Sequence, residues 1–271
     1  MKRMLITAGL FGLVACTATS PTGRDQILMF SADEMRTMGD QSFEQIKQKE
    51  KISTDKAINA YVQCVTAALT KPEHLQAIDA SQTESWDLVV FDSDQVNAFA
   101  LPGGHIGVYT GLLKAAQTPD QLAAVIGHEI GHVLADHGNE QVSRGQATEM
   151  GMQMIQVALG ATGTPNQDMI MAGLGLGAQY GVILPFGRQQ ESESDVIGIE
   201  LMARAGFDPA QSITLWQNMA KASGGSAQPE FMSTHPSHDT RITELSNRQP
   251  ESQALYKQAQ QQGYRPSCKV P

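Results

Sequence analysis

His128-Glu129-Ile130-Gly131-His132 is the segment whose residue types and spacing most plainly imply chemistry. On a helix, four residues make just over one turn, so both imidazoles leave one face and can meet a single zinc ion. Zinc held this way acidifies a water molecule. Glu129, next to the first imidazole, is placed to take a proton as that water attacks a peptide carbonyl. A hydrolytic zinc site also needs a third protein ligand and one open corner. One known arrangement puts a histidine six residues past the second imidazole, but Gly138 stands there. His137 comes five residues after His132 and turns away from the ligand face. Glu140 and Glu149 are too close in sequence to fold back over the same metal.

The third ligand is better sought on a second helix, and Glu191-Ser-Glu-Ser-Asp195 lies in one. Glu191, Asp195, Gly198 and Met202 follow a spacing of i, i+4, i+7 and i+11 and therefore share a face. Gly198 would let this helix approach the first closely, and Met202 would continue the face as apolar surface. Glu193 shares a different face with Glu200 and Arg204, which reads as solvent-facing. The spacing therefore predicts Glu191 as ligand and Asp195 as the acceptor that orients a zinc-binding imidazole. Glu193 is the alternative ligand. Arg188, one turn before Glu191, is expected to anchor carboxylates. Far downstream, either His235 or His238 could approach the metal, blocking the open corner at rest or stabilising the oxyanion during turnover.

Several elements must position these groups. Thr118-Pro119-Asp120-Gln121 has capping-box form with proline at the first helical position. It opens a helix carrying Leu122, Val125, Ile126, Ile130 and Val133, with Gly138 as its predicted stop. A capping box at Ser31 to Glu34 opens a helix to about Lys51, and another starts near Thr54. Period-two segments at Trp86–Phe91, Gln95–Leu101 and His105–Thr110 predict an antiparallel meander. Residues 151–186, rich in Gly, Met and Ala, read as a helical hairpin that is buried, covers the site or lies on a membrane surface. Their polar residues and two prolines exclude a clean apolar span. Helices follow at about 186–204 and 209–221, and the last forty residues read as short helices plus a tail. The fold class is α+β, mostly helical.

Lys2 and Arg3, the apolar stretch Met4 to Val14 and the small residues before Cys16 have the layout of a secretory signal over residues 1–15. Leu13-Val14-Ala15-Cys16 is similar to a lipobox, which makes Cys16 the lipidation site and residues 16–30 a lipidated tether. One domain then spans 31–271. Thr17 after the lipid site, in place of Asp, points to the outer membrane of a Gram-negative bacterium, with the domain on its periplasmic face. In that oxidising compartment the two remaining cysteines, Cys64 and Cys268, are expected to form a disulfide. A net charge of −9 and the lack of a long basic run exclude non-specific nucleic-acid binding.

The HExxH segment, followed some sixty residues later by ExExD, resembles peptidase family M48. The likeness extends over Thr22–Gln26, Asn97–Gly104, Tyr109–Leu113, Thr118–His137, Leu184–Asp195 and Thr234–Pro236. Gly187 stands where the family often has Ser, and Ser194 where it usually has Ala. The lack of a long C-terminal helical-repeat region makes the chain more similar to the family's shorter periplasmic lipoprotein proteases. The resemblance implies a gluzincin-type zinc metalloprotease domain with a small antiparallel sheet and one Zn2+ on His128, His132 and Glu191. It also implies His235 as the functional downstream histidine and an edge strand at Asn97, Ala98 and Phe99 that pairs with extended substrate. The implied activity is cleavage of misfolded or unassembled periplasmic and outer-membrane proteins. The alternative is a chaperone-like factor working with the outer-membrane assembly machinery and cutting rarely.

Overall fold

The computed structural model describes residues 17–81, 85–162, 164–178, 184–222, 235 and 239–271. Residues 1–15, expected to be a signal segment, Cys16 and His238 lie outside the described residues. The described chain begins with an antiparallel hairpin, β1 (Thr17–Thr19) and β2 (Asp25–Ile27). Helix α1 (Ala32–Lys49) starts at the capping box read from the sequence, with Ser31 accepting from the Glu34 N–H and Glu34 accepting from the Ser31 N–H. Asp55 caps α2 (Lys56–Leu69), and a single turn, α3 (Pro72–Leu75), follows.

Strands β3 (Asp87–Phe91), β4 (Ala98–Leu101) and β5 (His105–Tyr109) form a sheet of order β3-β5-β4. This corrects the expected meander: β4 and β5 are antiparallel, but β5 runs parallel to β3 and lies between the other two. The Pro102-Gly103-Gly104 turn makes the hairpin, with Gly103 at φ 93° and Gly104 at φ 81°, backbone conformations natural to glycine. Folding β5 back between its predecessors leaves β4 at the border of the sheet.

Helix α4 (Pro119–Leu134) is buried along nearly its whole length because apolar, Ala and Gly residues surround it on every side. Thr118 accepts from the Gln121 N–H at 3.2 Å and Pro119 occupies the first turn. The helix ends earlier than Gly138, at Ala135, where Asp136 takes a left-handed φ of 52°; aspartate tolerates this better than most residues. A new helix, α5 (His137–Thr162), begins there and packs on α6 (Gln167–Ala178) as the expected hairpin. Met150, Met154, Val157 and Met169 on it are exposed, and no described helix is long and apolar enough to cross a membrane.

Helices α7 (Leu184–Arg204), α8 (Ala210–Ala222) and α9 (Asp239–Gln261) complete the shell around α4. Helix α9 replaces the predicted short pieces and continues through Pro250. Helix α7 meets α4 at backbone distance: a Cβ on Gly198 would fall 2.8 Å from the His128 nitrogen, and one on Gly131 would fall 3.0 Å from the Ser194 oxygen. Cys64 of α2 is bonded to Cys268 of the tail across 204 residues. Closing a loop of that length limits the unfolded chain, a contribution of about 5 kcal/mol in the chain-entropy picture. Replacing both cysteines by serine is expected to lower unfolding stability by about 2–5 kcal/mol, measured by urea titration.

Candidate active site

Donor atoms of four side chains converge where α4 and α7 cross. The Nε2 atoms of His128 and His132 lie 3.1 Å apart. Glu191 brings Oε2 to 3.3 Å from His128 Nε2 and Oε1 to 3.4 Å from His132 Nε2. His235 adds Nδ1, 3.0 and 3.1 Å from the two Glu191 oxygens and 3.2 Å from His128 Nε2. Ligands bound tetrahedrally to zinc at about 2.0–2.1 Å stand about 3.3 Å from one another. The donor set therefore fits one zinc ion, with Glu191 placed beside both imidazoles.

Glu129 is buried beside this cluster, and its Oε1, 3.5 Å from His235 Nε2, has no hydrogen-bond partner. Burial pushes its carboxyl up, against lowering by His235, by His128 and by the Ala100 backbone of β4. The group opens on a cavity of about 560 Å3 lined by Phe99, Ala100, Leu101, His132, Glu191 and His235, among others. Of the three strand residues expected at substrate, only Phe99 lines this cavity. Ala98 is packed in the core, and the Asn97 carbonyl accepts from the Tyr109 N–H. Ala100 and Leu101 take their place.

Each imidazole is held from behind. His128 Nδ1 lies 3.0 Å from Asp195 Oδ1, in the role foreseen for that carboxylate. Burial opposes a charge on His128, but its hydrogen bonds to Asp195 and Glu191 outweigh this and raise it to about 9. The metal-free cluster thus favours a cation where zinc would sit. Asp195 is gripped in turn by Arg241 of α9, whose Nε and Nη2 donate at 2.6 and 2.7 Å, while Nη1 reaches Glu191 Oε2 at 3.1 Å. The guanidinium is 2% exposed and lies 3.8 Å from the centre of the Trp216 ring. Arg188, expected to anchor the carboxylates, is exposed instead.

His132 is backed by His137, with 2.9 Å between their Nδ1 atoms, so the change of helix direction at Asp136 returns His137 to the site. His137 Nε2 meets Glu193 Oε2 at 3.0 Å. Glu193 is 5% exposed and thus far from the wet surface expected for it. Ser20, Thr22 and Arg24 of the β1–β2 hairpin cover it, and Arg24 also forks onto Glu140 at 2.7 and 2.8 Å. Burial works against the charge of Glu193, yet His137 and the three hairpin donors hold its pKa at about 2. From Thr17 onward, the stretch expected to run as a tether is part of the folded domain.

Sequence reasoning missed Arg241, His137, Glu193 and Arg24. The sequence signal for Arg24 was its place in the Thr22–Gln26 segment of the family resemblance. Arg241 lies only a few residues past the His-Pro motif, with nothing in its own neighbourhood to mark it.

An HExxH helix met at backbone distance by a glutamate-bearing helix defines a gluzincin-type zinc metallopeptidase domain. Residues 56–249 match peptidase family M48, and the chain belongs to that family. It is 34% identical over 178 residues to the mitochondrial metalloendopeptidase OMA1 of Schizosaccharomyces pombe, covering 65% of this chain and 50% of that protein. It is 31% identical to the zebrafish (Danio rerio) metalloendopeptidase OMA1 over 93% of this chain and 54% of the relative. It is 30% identical to the beta-barrel assembly-enhancing protease of Yersinia pestis over 80% and 44%. The chain thus spans about half the length of these relatives.

Removing Arg241 leaves Asp195 and Glu191 buried without their guanidinium. Arg241→Leu is expected to cost about 3–5 kcal/mol at neutral pH, measured by urea unfolding of the metal-free protein. Burial disfavours the charged Asp195, but Arg241 outweighs this and leaves its pKa depressed. Its stabilising contribution is therefore present above the unfolded value near 3.9 and lost as pH falls below it, so the deficit of the variant should shrink in acid.

Proposed function

We propose that this chain is a zinc-dependent endopeptidase of the bacterial cell envelope. It is held by a lipid on Cys16 at the periplasmic face of the outer membrane and cuts misfolded or unassembled envelope proteins. The observation that carries the activity is the Glu129 carboxylate, buried with Oε1 making no hydrogen bond, beside a zinc-fitting donor set in a cavity bordered by β4. The signal-like segment 1–15 and the similarity to the Yersinia beta-barrel assembly-enhancing protease favour the envelope over the compartment named for the OMA1 relatives.

Zinc, when bound, supplies an acidified water and polarises the scissile carbonyl. His128, His132 and Glu191 hold the metal. Phe99, Ala100 and Leu101 at the sheet border receive an extended segment through main-chain pairing, which accepts many sequences. Glu129 takes a proton on its carboxylate and passes it to the leaving amine; its raised pKa suits that exchange. His235, with Nδ1 3.0 Å from Glu191 Oε1, would close the donor set at rest, and its Nε2, 3.5 Å from Glu129 Oε1, lies near enough to the reacting groups to steady the oxyanion during turnover.

Casein digestion by the purified protein tests this reading. Chelation should stop it, and Glu129→Gln should lower it roughly 10²–10⁴-fold with zinc still bound. Undiminished digestion by Glu129→Gln would overturn the proton-transfer role. If this variant still supports envelope integrity in cells, the chaperone-like reading takes precedence. His235→Ala should raise basal digestion if the ring closes the site at rest; a fall would leave His235 with the oxyanion role alone.

A further inference from the structure

We propose that His137, Glu193 and Arg24 are positioning residues for the metal ligand His132, so that the hairpin at residues 17–27 is a working part of the metal site. The inference rests on His132 being a zinc ligand, as read above, and adds how that ligand is set.

Glu193 accepts from the Arg24 guanidinium and from the Ser20 and Thr22 hydroxyls, as a carboxylate does, so His137 Nε2, 3.0 Å from its Oε2, must carry a hydrogen and donate it. A neutral His137 then has a lone pair on Nδ1. The facing atom 2.9 Å away is His132 Nδ1, which must be the donor for that contact to be a hydrogen bond. A neutral His132 carrying its hydrogen on Nδ1 has its lone pair on Nε2. That is the nitrogen beside His128 Nε2 and Glu191 Oε1. Each link therefore fixes the next, and the chain ends with the correct nitrogen free for metal.

The far end is fixed as firmly. Arg24 donates from Nε to Glu193 at 2.7 Å and from its two terminal nitrogens to Glu140 at 2.8 and 2.7 Å. A planar fork spanning two carboxylates holds them at one separation and orientation, which a lysine could not do. Ser20 and Thr22 also donate to Glu193, so three hairpin side chains aim that carboxylate at His137. His128 has a shorter version of the same device, because Asp195 accepts from it directly and Arg241 grips Asp195. The guanidiniums behind the two ligands come from opposite ends of the described chain.

The test is zinc affinity, measured by competition with a chelating dye on the full chain and without reference to peptidase activity. His137→Leu removes the acceptor at nearly constant volume and should weaken zinc binding roughly 10–100-fold; His137→Gln, whose amide oxygen can still accept from His132, should stay within about threefold of wild type. Arg24→Ala should weaken binding roughly tenfold, and Arg24→Lys should not restore it. Wild-type affinity in folded His137→Leu or in Arg24→Ala overturns the proposal, as does an equal loss in the Leu and Gln variants. Should His137→Leu not fold, the Arg24 pair decides by the same criterion. A wild-type protein that takes up no zinc overturns the metal site itself, and this inference with it.

Discussion

The approach of α4 to α7 at backbone distance is the constraint on which everything else in this protein depends. Gly127 and Gly131 on one helix, and Gly198 on the other, let the two backbones meet in the seam, so the carboxylate of Glu191 can reach two imidazoles rooted on the facing helix. A methyl group at Gly198 would strike the backbone of His128 itself, and backbone cannot retreat as a flexible side chain can. The same seam determines why α4 is so apolar. A helix that meets neighbours on every side must be hydrophobic on every side, save for the residues it offers to the site.

Burying the donors creates a charge problem, and the fold answers it with elements distant in sequence. Glu191 and Asp195 meet one buried guanidinium, Arg241, and Glu129 is buried beside them next to His235. The carboxylate charge left over is what a divalent cation would offset, and the raised pKa of His128 is the metal-free expression of that demand. Behind His132 a separate set of carboxylates, Glu193 and Glu140, is balanced by Arg24. The two arginines enter from the N-terminal hairpin and from α9, and the Cys64–Cys268 bond pins the C-terminal tail to α2. Both ends of the described chain are thereby tied into one structure around the crossing helices.

What the sequence revealed depended on whether the relevant partner was local. Helix α4 was legible because its cap, its proline and its apolar spacing all lie within twenty residues. Glu191, Asp195 and Gly198 were legible because helical periodicity alone puts them on one face. The same reasoning failed for Glu193, since periodicity says which residues share a face and not what covers that face; the cover is a hairpin some 170 positions earlier. His137 was misjudged because one continuous helix was assumed through Asp136, where a left-handed residue changes the direction. The sheet order was misread because turn residues between strands do not reveal that the third strand inserts between the first two. The last forty residues read as short helices plus a tail, but burial of Arg241, Leu245, Ser252 and Ala259 holds one helix on both sides of Pro250.

The central claim is that side chains from two helices hold one zinc ion. Zinc content per chain, measured by elemental analysis on purified Glu191→Ala beside wild type, tests it most directly. The account predicts one zinc in the wild type and near-complete loss in the variant, with the fold intact by circular dichroism. Full zinc occupancy in folded Glu191→Ala would contradict it.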